Sequence, residues 1–317
     1  MLLLAVESVL SLALLMLVGW LCYPLSWFGE EGTTFLTKFT VRICIPCYMT
    51  YTVYTTSESP QALLELFKSL PIPIGYMLVS LGCALVLTRL LRVQAGRRGT
   101  FINACTFSNC VIMGFPVVEA LFGAQMLPQA MIYYMANTIL FWSVGVYYLR
   151  QDSGQGAALL SLEGLKKIFS PAIIMFLLGC VLVLLDLEIP DFFFSPLEML
   201  SKASTPLAMV FIGGVIRSTN FRQAGVSRDL AAILGSRFLL SPVLMGVICL
   251  LLPIPAAHKQ VFFVFSTMPA MTQLGIMAKE SGSDYKFASA SVGITSLLSM
   301  VSIPFYMWLM QATGLFS

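Results

Sequence analysis

The chain has 317 residues, of which 58% are hydrophobic and only 10% charged, with a formal net charge of +3. Soluble globular chains carry roughly a quarter charged residues, so this composition excludes a water-facing globule and sets most of the surface against lipid. The net charge is too small to imply a nucleic-acid partner, and the basic residues collect at the breaks between apolar runs, where they report topology.

A helix that crosses the hydrocarbon core takes about 20 apolar residues, and the sequence predicts ten such spans. The first, 2–24, contains one acid, Glu7, and lacks the basic leader and small-residue cleavage site of a removable signal. The second, 33–55, holds Arg42, shallow enough to snorkel, and the sequence CIPC at 44–47. Without a second CxxC pair, nearby histidines or a βαβ pattern, Cys44, Cys47 and the other six cysteines read as reduced core residues, and no metal is expected. The third span, 72–92, leads to a basic break containing Arg97 and Arg98.

The fourth span, 99–122, contains FSNCVIMGFPVV at 107–118, where Ser108, Asn109, Gly114 and Pro116 interrupt an apolar run. Glu119 follows by about one helical turn. It reads either as a carboxylate wetted at the helix end or as the site of a coupling proton or sodium ion. The fifth span, 127–149, places Asn137 where a neighbour of that interruption is expected, and the longest linker, RQDSGQGAALLSLEGLKK, occupies 150–167.

Beyond the linker come 168–187, then 194–216 with Lys202 and Pro206, then 229–252 with Arg237. Arg237 lies about 12 Å into the bilayer by helical rise. It reads as a bidentate carboxylate ligand, or as a buried ion pair or a snorkelling side chain. His258 stands alone in the following loop, and the ninth span, 259–279, holds Ser266, Thr267, Met268, Pro269, Ala270 and Thr272 in FSTMPAMTQLGIMAKE. The tenth span is 284–313.

Lys and Arg favour cytoplasmic loops. Loops after odd-numbered spans, with the flanking span ends, hold Arg89, Arg92, Arg97, Arg98, Arg150, Lys166, Lys167, Arg217, Arg222, Arg228, Lys279 and Lys286, against Lys68 and Lys259 after even-numbered spans. Both termini are therefore expected to be extracytoplasmic and the 150–167 linker cytoplasmic. The linker separates a first repeat at 1–149 from a second at 168–317, and an odd number of spans in each forces opposite insertion. Pro46 and Pro206, Leu81-Gly82 and Leu234-Gly235, and Phe107-Ser108 and Phe265-Ser266 recur at nearly constant separation in the order the spans demand.

Proline removes a backbone donor and clashes with the carbonyl four residues earlier, so Pro116 and Pro269 predict that spans four and nine each split into two half-helices. Freed peptide groups need partners in lipid, from Ser108, Asn109, Ser266, Thr267 and Thr272 or from a bound solute. A silent kink is the alternative for either span alone; two matched interruptions in opposite repeats favour a crossing that binds solute, because half-helix N-termini attract anions. Asn109 offers an acceptor and two donors there, and Gly114 permits close backbone approach.

Asn109, Gly114 and Pro116 in SNCVIMGFP, with ALFG at 120–123, PLAMVFIGG at 206–214 and MPAMTQLGIMAKESGSD at 268–284, resemble the auxin efflux carrier family of plant PIN proteins and their bacterial relatives, within the bile-acid/sodium symporter-like fold. The resemblance covers essentially the whole chain, and the short central linker looks like that of a bacterial member. It implies an all-α carrier of the cytoplasmic membrane, with scaffold spans 1, 2, 6 and 7, transport-domain spans 3–5 and 8–10, an elevator motion and a homodimer. It implies Asn109 as the crossover asparagine, and solutes such as malate or malonate, with an indole acetate-like monocarboxylate as another choice. Ser108, Thr267, Met268, Pro269, Ala270, Asn137 and Arg237 complete the expected substrate-binding set.

An enzyme would need residues that are absent: there is no GxGD, HExxH, GxSxG or P-loop. No cofactor is expected. A membrane sensor or channel built on the same carrier fold stays open as the alternative.

Overall fold

The computed structural model describes residues 2–57, 59–154, 166, 168–218 and 227–314, with backbone alone for 2–6, 8 and 9. Most of the linker expected at 150–167, including Lys167, lies outside the described residues, as does Arg222. The described chain is helical, and its one strand-like pairing is a single antiparallel bridge between Ser108 and Ala270. The stretches Pro60–Leu90, Asp191–Ser218, Arg228–Leu251 and Tyr285–Thr313 are long and apolar enough to cross a membrane, and Cys110–Phe122 and Pro171–Leu184 are shorter apolar helices. The protein is therefore an integral membrane protein with several spans.

Residues form two compact units. The first comprises 1–70, 111–132 and 169–218. It contains α1 (Leu2–Cys22), α2 (Gly29–Phe39), α3 (Ile45–Thr56), α4 (Pro60–Lys68), α7 (Phe115–Phe122), α10 (Pro171–Leu184) and α11 (Asp191–Ser218). The second comprises 71–110, 133–168 and 219–317. It contains α5 (Pro71–Leu90), α6 (Arg98–Thr106), α9 (Val146–Gln151), α12 (Arg228–Gly235), α13 (Ser241–Leu251), α14 (Ala256–Ser266), α15 (Gln273–Glu280) and α16 (Tyr285–Thr313), while α8 (Leu127–Leu140) runs from one unit into the other.

Within the first unit, α1 and α11 touch backbone to backbone. A Cβ on Gly213 would lie 1.8 Å from the carbonyl oxygen of Met16, and one on Gly19 would lie 1.9 Å from that of Val210. Lipid tails give helices no hydrophobic reason to associate, so such small-residue contacts carry the packing. α3 meets α10 through the hydroxyl of Thr50, which donates to the carbonyl of Met175 at 2.7 Å. Not anticipated from the apolar runs is α4, a nine-residue helix whose Leu63 and Leu66 are buried and whose first turn is capped by Ser59, accepting from the Ala62 N–H at 3.1 Å. At nine residues it is far below span length.

The second unit is packed around Phe101, Phe107, Phe141, Leu149, Ile233 and Leu274. A charged and polar cluster closes one of its ends. Arg97 pairs with Asp284 at 2.8 Å and Asp229 at 3.5 Å, and its guanidinium lies 4.4 Å from the centre of the Phe287 ring. Asp152 accepts from the N–H groups of Gly99 and Thr100 at the start of α6, at 2.9 and 3.4 Å, and from the hydroxyl of Ser283. Its carboxylate thereby satisfies donors that a helix start leaves orphaned.

Prolines act differently from the expectation. Three π-helical turns, Thr40–Cys44, Cys110–Gly114 and Ser236–Leu240, each stop two residues before a proline: Pro46, Pro116 and Pro242. The widened turn makes room for the ring and absorbs the missing N–H. Pro116 thus sits at the start of α7, where proline is tolerated, and the non-helical residues are Phe107–Asn109 upstream of it. Pro269, by contrast, lies inside the gap between α14 and α15. Pro206 and Pro304 stand within the uninterrupted α11 and α16.

Candidate functional site

The two gaps meet within the second unit. Asn109 donates its backbone N–H to the carbonyl of Pro269 at 2.9 Å, and Met271 donates to the carbonyl of Phe107 at 3.2 Å, giving the antiparallel Ser108–Ala270 bridge. Peptide groups freed by breaking a helix in lipid must find partners, and here side chains supply most of the rest. Asn137, 1% exposed, accepts from the N–H of Ser108 at 3.1 Å and donates to its carbonyl at 3.3 Å, so one amide stands in for a neighbouring strand. Thr295 accepts from the N–H of Ala270 at 3.1 Å.

Arg237 is fully buried beneath the crossing. Its Nη1 donates to the carbonyls of Cys105 and Thr106, each at 3.2 Å. Nη2 donates to the Ser108 hydroxyl at 2.7 Å and to the carbonyls of Met268 and Pro269 at 2.6 and 3.2 Å. The side chain therefore neither snorkels nor pairs with a carboxylate among the described residues; Nε is left without a partner.

Of the residues expected to bind substrate, Ser108, Asn109, Asn137, Arg237, Met268, Pro269 and Ala270 come together at this crossing. Thr267 is buried beside it, with its hydroxyl donating to the Val264 carbonyl of its own helix at 2.7 Å. Asn109 is 2% exposed and its amide nitrogen has no partner among the described residues. Gly114 and Pro116 belong to the first unit. Glu119 does too, and its Oε2 accepts from the hydroxyls of Tyr48 at 3.2 Å and Thr205 at 3.1 Å. Thr295 was missed by sequence reasoning; a threonine in an apolar span gives no local sign of its partner.

A family model described as membrane transport protein matches residues 4–307. The chain belongs to this family, that of the auxin efflux carriers. An uncharacterized transporter of Methanothermobacter thermautotrophicus is 26% identical over 95% of this chain and 96% of its own length. Another uncharacterized transporter, from Methanocaldococcus jannaschii, is 25% identical over 96% of this chain and 98% of its own. Similarity thus extends over whole chains, and membership of the auxin efflux carrier family makes this a membrane transport protein.

Proposed function

We propose that this auxin efflux carrier family member is a secondary active carrier for a small organic anion, a mono- or dicarboxylate, bound at the crossing of the two broken helices. The observation that carries the reading is the buried Asn109 amide nitrogen, without a partner among the described residues beside the paired segments 107–109 and 268–270. An amide N–H deep in a membrane protein is costly to leave unmade, and a solute carboxylate would accept from it. The N–H groups that open α15, which follows the second break within the same unit, add partial positive charge there.

The reading includes ten spans as two inverted repeats, with Gly114 and Pro116 shaping the site and Glu119 taking a coupling proton or sodium ion. It places the protein in a bacterial cytoplasmic membrane with both termini outside. In support, the loops expected to be cytoplasmic gather at one end of the second unit, through Arg97, Asp152, Asp229, Ser283 and Asp284. An elevator homodimer is what the family resemblance implies. The first unit, 1–70, 111–132 and 169–218, holds most of the residues read as spans 1, 2, 6 and 7 together with parts of those read as spans 4 and 5.

Calorimetric titration with malonate and indole-3-acetate, each against its amide analogue, tests the site. Hydrogen bonds to charged groups contribute about 1.5–3 kcal/mol, so Asn109→Ala should weaken acid binding about tenfold to a hundredfold. Thermal stability should barely change, because the Asn109 amide nitrogen has no partner to lose among the described residues. Unchanged acid affinity in the folded variant would rule the crossing out as the site.

A further inference from the structure

A fully buried guanidinium without a carboxylate partner among the described residues poses an electrostatic question, since an uncompensated buried ion is strongly disfavoured. The five hydrogen bonds of Arg237 end on four backbone carbonyls and one hydroxyl of the crossing. Cys105 and Thr106 are the last residues of α6, and Met268 and Pro269 follow closely on the end of α14. Each helix C-terminus carries about half a negative charge. Two such ends together offset about one unit, which is the charge of one guanidinium.

We propose that Arg237 determines the sign of the solute charge through the backbone it neutralises and not through a bidentate fork on the solute, a role that rests on the anion reading above. A broken helix presents both a C-terminal and an N-terminal end at the same place, and the two partial charges oppose each other across a few ångströms. Arg237 cancels the C-terminal ends of α6 and α14, so the N–H end of α15, which follows the second gap in the same unit, is left as uncompensated charge at the crossing. Without the guanidinium, the carbonyls of Cys105, Thr106 and Met268 would lose this compensation and that of Pro269 would keep only the Asn109 N–H, and the field would favour a neutral or cationic solute. Bidentate ligation fits the geometry poorly: both hydrogens of Nη1 and both of Nη2 are already committed, Nη2 being shared among three acceptors, and only Nε–H lacks a partner among the described residues.

This role is distinguishable from simple structural support, because support affects all ligands alike whereas the field separates acid from amide. The experiment measures, for purified protein, the ratio of affinities for malonate over malonamide and for indole-3-acetate over indole-3-acetamide, with melting temperature as a fold check. Arg237→Met, which removes the charge at similar length, should cut the acid-over-amide ratio about tenfold or more. Arg237→Lys keeps the charge but loses the planar fork; it should melt lower and yet hold the ratio within about threefold of wild type. A folded Arg237→Met that keeps the wild-type ratio overturns the proposal. So does a folded Arg237→Lys that loses it, and this arm decides the matter if the methionine variant fails to fold. A wild type that binds amide as tightly as acid overturns the anion reading and this one with it, whereas the variant results overturn only the role of Arg237.

Discussion

Ser108 gives both of its peptide groups to Asn137, while Asp152 accepts two peptide N–H groups at the opposite kind of place, a helix start at the edge of the second unit. In both cases a short polar side chain closes backbone groups that a chain interruption leaves open. For Asp152 this closure conflicts with burial. Desolvation raises its carboxyl above the usual carboxylate range, and the bonds from Ser283, Gly99 and Thr100 and the nearby charge of Arg98 only partly oppose the rise. A raised folded-state value means that the stability Asp152 contributes is fully present below its unfolded value and is lost as pH rises through the folded one. Melting curves of wild type and Asp152→Asn in detergent, from about pH 3.5 to pH 7, should therefore show the variant gaining on the wild type with rising pH. The reverse trend would mean that the N–H and hydroxyl bonds outweigh burial.

Among the elements, the helices fall largely where apolar runs predict them, because lipid requires every peptide group to be paired within a helix and so makes hydropathy a strong signal. The interruptions were legible too: SNCVIMGFP and FSTMPAM both carry polar residues where lipid allows few. What could not be read was where the chain opens. Pro116 draws attention, yet a π turn accommodates it, and the gap falls at Phe107–Asn109 because the segment 268–271 and Asn137 pair with it there. The hydrogen bonds of Arg237 were equally out of reach, since its acceptors lie up to 132 residues away in sequence. Glycine contacts give a direct test at this scale. Gly213→Ala drives a methyl into the Met16 carbonyl and should cost more than about 3 kcal/mol, at or beyond the usual range for overpacking. Gly82 in α5 has nothing within 4 Å of the position a methyl would take, and Gly82→Ala should be neutral or stabilise by up to about 1 kcal/mol. Equal unfolding free energies for the two variants, read from denaturant titrations in mixed micelles, would refute the close α1–α11 contact.

For the molecule as a whole, composition alone separates this chain from soluble proteins, and the match to the membrane transport protein family over residues 4–307 joins that class to a function. The sequence carries solute chemistry less well, because the crossing is lined largely by backbone and by side chains brought from distant spans. A carrier binds its solute at a site that saturates and alternates, whereas a channel built on the same fold would pass current without saturation. Counterflow in proteoliposomes measures that difference most directly. Vesicles loaded with unlabelled malonate or indole-3-acetate and diluted into a trace of the labelled acid should transiently concentrate label above the external level, saturably, and Asn109→Ala should abolish the overshoot. Label that never exceeds equilibrium for either acid, accompanied by an unsaturated ion current, would make the protein a channel and not a carrier.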